Sequence, residues 1–172
     1  MAEYIKSRAF FENSEVGKRT KDHPIIVCWK LTTPSNLGSV LRLADNMGCT
    51  KVLFVDDEPT FKDRNIKRTA QTSFKAIDWY YCDSTNWKEH IPEDYKLLAI
   101  ETAEPSFDLY QTELPEKCVF FVGNEKVGLD DCLLKECEKS IYIPMKGHNK
   151  SMNVSHALTI VLGEWTRQNY YE

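Results

Sequence analysis

The sequence predicts an α/β fold, a mostly parallel sheet between helices. Three observations lead there. Short apolar runs rich in branched and aromatic residues recur through the 172 residues and have strand length. Patterns of helical period lie between many of them, and alternating strands and helices build parallel crossovers. Three of the runs also end in small-residue loops that lead into a helix: TTPSNLGS, GNEKVGL and MKGHNKSMN. A chain of this length suits a single domain over 1–172, with a core that needs no staples. Its 42% hydrophobic and 28% charged residues are the balance of an ordinary globular protein.

In chain order, a helix is expected at 4–12, followed by a charged, glycine-containing stretch and then IIVCWKL (25–31) as a buried strand. The helical pattern at 36–47 places Leu37, Val40, Leu41, Ala44 and Met47 on one apolar stripe. Arg42 points almost directly away from it. KVLFV (51–55) is the next strand, 61–69 the next helix, and FKAIDWYY (74–81) and KLLAIET (96–102) are further strands. CVFFV (118–122), a helix at 130–137 and SIYIP (140–144) follow. The last helix, 153–168, has the clearest face: Val154, Ala157, Leu158, Val161, Leu162 and Trp165 recur at helical spacing. Ser151 and Asn153 stand where either could cap its first turn.

The first residues lack a basic start, an apolar run and a small-residue cleavage site, so no export signal is read and the cytoplasm is the expected compartment. No run of eighteen apolar residues suggests a membrane span. The six cysteines are scattered, and free thiols are expected. Cys132 and Cys137 form the only close pair, without CxxC or a neighbouring histidine, and no metal site is expected. Residues 1–75 hold 13 Lys and Arg against 9 Asp and Glu, whereas 76–172 hold 9 against 17. An acidic chain argues against a nonspecific nucleic-acid coat but permits a basic face in its front half.

Ligands of open α/β sheets bind beyond the carboxyl ends of strands, so the three small-residue loops could build one pocket. GNEKVG has two glycines at phosphate-loop spacing, but Leu129 and Asp130 follow where Lys and Ser or Thr are required. The first loop mimics a dinucleotide site yet has only Gly38, which leaves a Rossmann-type nicotinamide enzyme as a weak alternative. Ser155 and His156 are adjacent, but no GxSxG elbow supports an esterase triad. The loops instead share Asn36 with Arg42, Asn124 with Glu125, and Ser151 with Asn153. Such groups suit a reaction that positions two substrates and manages one proton.

Taken together, NLGSVLRLADNMG (36–48), FVGNEKVGL (121–129) and IPMKGHNKSMNVSHA (143–157) resemble the three motifs of the SpoU, or TrmH-like, RNA ribose 2′-O-methyltransferases of the SPOUT superfamily. The resemblance spans about 24–168. It implies a C-terminal deep trefoil knot, a homodimer, S-adenosylmethionine as methyl donor and RNA as acceptor. It places the donor against Ile100, Gly123, Ile143, Met145, Ser151 and Met152, and puts Asn36, Arg42, Glu125, Ser151 and Asn153 on functional positions. Arg42 is then expected to orient the acceptor ribose and stabilise alkoxide charge, because a guanidinium gives up its proton only reluctantly. Glu125 is expected to hold its loop, or Asn36 and Arg42, in position.

The segment FKDRNIKRTAQTSFK (61–75) reads as a phosphate-contacting strip through Lys62, Arg64, Lys67, Arg68 and Lys75, extended by Lys146, His148 and Lys150. No separate RNA-binding domain is read, which favours a compact tRNA over assembled rRNA. Phe10, Phe11, Trp165, Tyr170 and Tyr171 are candidates for a subunit interface. The alternative from another class is a noncatalytic RNA-binding module on the same fold.

Overall fold

The structure, a computed structural model, describes residues 4–12, 23–59 and 61–171. Seven strands, β1 (Ile25–Trp29), β2 (Lys51–Val55), β3 (Asp78–Cys82), β4 (Lys96–Ile100), β5 (Phe107–Asp108), β6 (Cys118–Val122) and β7 (Lys139–Tyr142), form one sheet in the order β3-β2-β1-β6-β4-β7-β5. Every paired strand in it is parallel. The helices are α1 (Ser7–Glu12), α2 (Pro34–Asn46), α3 (Asp63–Ala70), α4 (Ser73–Ala76), α5 (Asp131–Glu136) and α6 (Val154–Tyr170).

Alternation along the central strands sends side chains into two cores. Ile26, Cys28 and Phe120 face α2, α3 and α6 through Leu37, Ile66 and Leu158. Ile25, Val27, Trp29 and Phe121 face Leu133 of α5 and Trp87. Because both faces are covered, β1 and β6 are apolar at every position, as parallel sheets require.

The chain builds outward from β1 to β2 and β3, then returns to the opposite side of β1. The order therefore switches between β1 and β6, where a crevice opens beyond the strand ends.

Several elements differ from the sequence expectations. β1 stops at Trp29, two residues early, because Lys30 takes a positive φ of 51°. α2 begins at Pro34, since proline's fixed φ suits a first helical position, so Asn36 and Gly38 lie within the helix. Gly38 is there for space: a Cβ on it would stand 2.6 Å from the Ile66 carbonyl oxygen and from Thr69 Cβ of α3. Its absence lets the two helices touch.

The expected strand at 74–81 is helical over Ser73–Ala76 and extended only from Asp78, where pairing with β2 begins. The Ser73 hydroxyl donates to Asp45 of α2 at 2.8 Å and anchors that turn. β5, two residues long, carries too little pattern to be read. Asn153 caps α6, its side-chain oxygen accepting from the Ser155 N–H, whereas the Ser151 hydroxyl donates to Asn149.

Trp165 does not lie at the surface. It is 1% exposed, and its indole donates to the Pro115 carbonyl at 2.9 Å. Phe11, Tyr170 and Tyr171 are exposed, and the Phe10 side chain lies outside the described residues. All six cysteines are free thiols, four of them buried, and burial pushes the Cys49 thiol up to about 12. Among the described residues no helix is long and apolar enough to cross a membrane.

Candidate active site

The loops after β1, β4, β6 and β7 surround a cavity of about 650 Å³, within the range of small-molecule sites. At its centre is a hydrogen-bonded chain joining all three sequence motifs. The Asn36 amide donates to Glu125 Oε1 at 2.8 Å, and the Asn153 amide donates to Asn36 Oδ1 at 2.9 Å. Asn153 Oδ1 then accepts from the Ser155 backbone N–H and hydroxyl at 2.9 and 2.7 Å. Asn36 is 8% exposed, so its amide depends on these partners.

Glu125 is braced from both sides. Oε2 accepts from the Thr32 N–H and hydroxyl at 2.9 and 3.0 Å, and Oε1 also accepts from the Thr33 N–H at 3.1 Å. Desolvation pushes its carboxyl up, but donors from Thr32, Asn36, its own backbone and Thr33 outweigh that and hold it down at about 2. Such an acid is a poor proton acceptor near neutrality; it is a brace for Asn36 and the 32–33 turn.

The 123–128 loop is folded back on itself. Asn124 and Gly128 exchange backbone hydrogen bonds at 3.1 and 2.9 Å, and the Asn124 amide donates to the Lys30 carbonyl at 2.6 Å. A Cβ on Gly123 would meet the Gly128 carbonyl carbon at 2.4 Å. The strained Lys30 is held in turn by Asp130, which accepts from the Lys30 ammonium and the Trp29 indole, both at 2.8 Å.

Ile100, Gly123, Ile143, Met145, Ser151 and Met152 all line the cavity, together with Asn36, Glu125, Asn153 and Lys150. Arg42 does not. It is exposed two turns into α2 and makes no hydrogen bond or ion pair among the described residues. Because it follows Gly38 by four residues, it emerges on the side of α2 toward α3. Lys62, Arg64, Lys67, Arg68 and Lys75 are all exposed, on and around α3 and α4. Lys146 and His148 are exposed and outside the cavity lining.

Sequence reasoning missed Thr32, Thr33 and the Trp29–Lys30–Asp130 strap. A threonine pair after a strand is a faint signal; nothing local marks Asp130, which lies 100 residues from Lys30.

A fully parallel sheet, with a cavity at its switch point lined by three strand-to-helix loops and the loop after β4, defines an open α/β ligand-binding domain. The chain belongs to the SpoU rRNA Methylase family, whose model matches residues 23–163. It is 32% identical over 141 residues to the 23S rRNA (guanosine-2′-O-)-methyltransferase RlmB of Neisseria meningitidis, covering 80% of this chain and 56% of the relative. Similarity to the mouse tRNA (guanosine(18)-2′-O)-methyltransferase TARBP1 is 27% over 148 residues, covering 84% of this chain and 9% of that one. The chain thus spans little more than half of RlmB and a small part of TARBP1. An AdoMet-bound rRNA methyltransferase from Sinorhizobium meliloti has the same fold, with a TM-score of 0.78 at 23% identity, over 88% of this chain and 58% of that one.

Proposed function

We propose that this chain transfers a methyl group from S-adenosylmethionine to a ribose 2′-hydroxyl of RNA. The observation that carries the reading is the Glu125–Asn36–Asn153 chain, which joins the three motif loops at the cavity. Family membership and the RlmB and TARBP1 relatives support the reaction class. The cavity suits the donor: apolar walls from Ile100, Ile141 and Ile143 fit an adenine, and polar groups of the loops fit its ribose and amino-acid tail.

The donor, when bound, supplies a methyl group activated by its sulfonium. The remaining difficulty is the weakly acidic hydroxyl. Asn36 and Asn153 orient the acceptor, and Ser151 and Met152 close the donor side. Arg42, which lies outside the cavity lining, would approach the acceptor ribose and phosphate from the RNA side and stabilise developing negative charge on the oxygen. Transfer to the hydroxyl oxygen would leave the donor as a neutral thioether, and the hydroxyl proton would pass to a phosphate or water, because Glu125 is too weak a base.

The cations on and around α3 would hold the RNA backbone beside Arg42. A tRNA is the acceptor in this reading, supported by the similarity to the tRNA methyltransferase TARBP1. The reading includes a homodimer, with Phe11, Tyr170 and Tyr171 as interface candidates, and the cytoplasm as compartment. It also includes a C-terminal knot, which membership of the family supports. Nucleoside mass spectrometry of tRNA and rRNA treated with the protein and methyl-labelled donor tests the function. A labelled 2′-O-methylnucleoside in tRNA is expected; label in rRNA alone would replace the acceptor, and no label in either would refute the reaction. Sedimentation at micromolar protein should give a dimer, and a fully active monomer would refute that.

A further inference from the structure

Glu101, the residue after β4, is a second carboxylate in the cavity wall, and its situation differs from that of Glu125. Glu125 accepts four hydrogen bonds within the protein. Glu101 accepts from the Thr102 N–H at 2.9 Å through Oε1 and from the Leu129 N–H at 3.1 Å through Oε2. Its further contact, with the Thr102 hydroxyl, is long at 3.5 Å. A carboxylate has about four acceptor sites, so each oxygen keeps one for a ligand. Among the described residues no cation pairs with it.

The neighbouring chain makes room for this acid. Gly128 has a φ of +71°, and a Cβ there would stand 2.5 Å from Glu101 Oε2. The Glu101 backbone N–H donates to the Ile141 carbonyl at 3.0 Å, which places it one residue from the apolar pair Ile100 and Ile141. With the donor's adenine against these isoleucines, as proposed above, an acceptor here is placed to reach the ribose attached to it. Acids at the ends of α/β strands accept from ribose hydroxyls in this way in dinucleotide sites.

We infer that the Glu101 carboxylate accepts hydrogen bonds from the ribose hydroxyls of the adenosine part of the methyl donor. The inference rests on the donor proposed above and assigns the group that selects a ribonucleoside over a deoxy form.

Calorimetry with S-adenosylhomocysteine and its 2′,3′-dideoxy analogue, on wild type and Glu101→Ala, tests it. Wild type should bind the hydroxylated ligand roughly 10- to 100-fold more tightly than the analogue, the range for hydrogen bonds to a charged group. Glu101→Ala should lose most of that preference while binding the dideoxy analogue nearly as wild type does. A residue that only straps the 123–129 loop would weaken both ligands alike, leave the preference intact and overturn the inference. Glu101→Gln, which keeps one accepting oxygen, should fall between the two and serves if the alanine variant does not fold. If wild type binds neither ligand, the donor proposal fails and this inference with it; if it binds both without a preference, this inference alone fails.

Discussion

Replacing Glu125 tests the brace that joins the motifs. A carboxyl drawn from 4.5 to about 2 corresponds to about 3 kcal/mol unscreened. Glu125 is open to solvent, which lowers that to about 1–2 kcal/mol. Glu125→Ala also leaves the nearly buried Asn36 amide without its acceptor, which costs about 1 kcal/mol more. The total is about 2–3 kcal/mol, or roughly 5–10 °C in Tm for a chain of this size.

Urea unfolding of wild type, Glu125→Ala and Glu125→Gln at pH 7 and pH 3 measures it. The folded-state pKa is depressed, so the stabilisation is fully present above about 4.5 and is lost as pH falls toward about 2. The charge-dependent gap between wild type and Glu125→Gln should shrink to under half at pH 3. A gap of less than about 0.5 kcal/mol at pH 7, within the range of ordinary surface changes, or one unchanged on acidification, would refute the brace.

Arg42→Ala should slow single-turnover methyl transfer about a hundred- to thousandfold, the usual effect of losing one transition-state partner, with donor affinity by calorimetry unchanged. Arg42→Lys should rescue poorly because a point charge cannot match the planar fork, and wild-type turnover in Arg42→Ala would make Arg42 a surface residue. Lys67→Ala with Arg68→Ala should weaken RNA binding and reduce its log–log salt slope by about 1.4–1.8, as losing two phosphate contacts requires; an unchanged slope would leave α3 a solvated face. Gly38→Ala should lower the urea midpoint, losing about 1–3 kcal/mol, because its Cβ would meet α3 backbone that cannot swing aside. Gly163→Ala, where a Cβ meets nothing within 4 Å, should instead gain about 0.5–1 kcal/mol; equal effects at the two glycines would contradict the packing argument.

The sequence by itself determined what repeats locally. The apolar runs of β1, β2 and β6 announce strands covered on both faces, and Leu158, Val161 and Leu162 announce the buried side of α6. The helical period also turned Arg42 off the apolar stripe of α2, where it is exposed. Tertiary structure decided what depends on neighbours distant in the chain. Phe74–Ala76 reads as the start of the strand expected at 74–81 yet turns as a helix with Ser73, because β2 offers pairing only from Asp78 onward. Trp165 is an apolar residue that could have served an interface, and only the approach of Pro115 buries it. Glu125 meets Thr32 across 93 residues, and Asn153 meets Asn36 across 117. Periodicity shows which side of an element is apolar, but strand order chooses which loops converge. The brace across the cavity therefore exists only after β6 has taken its place beside β1.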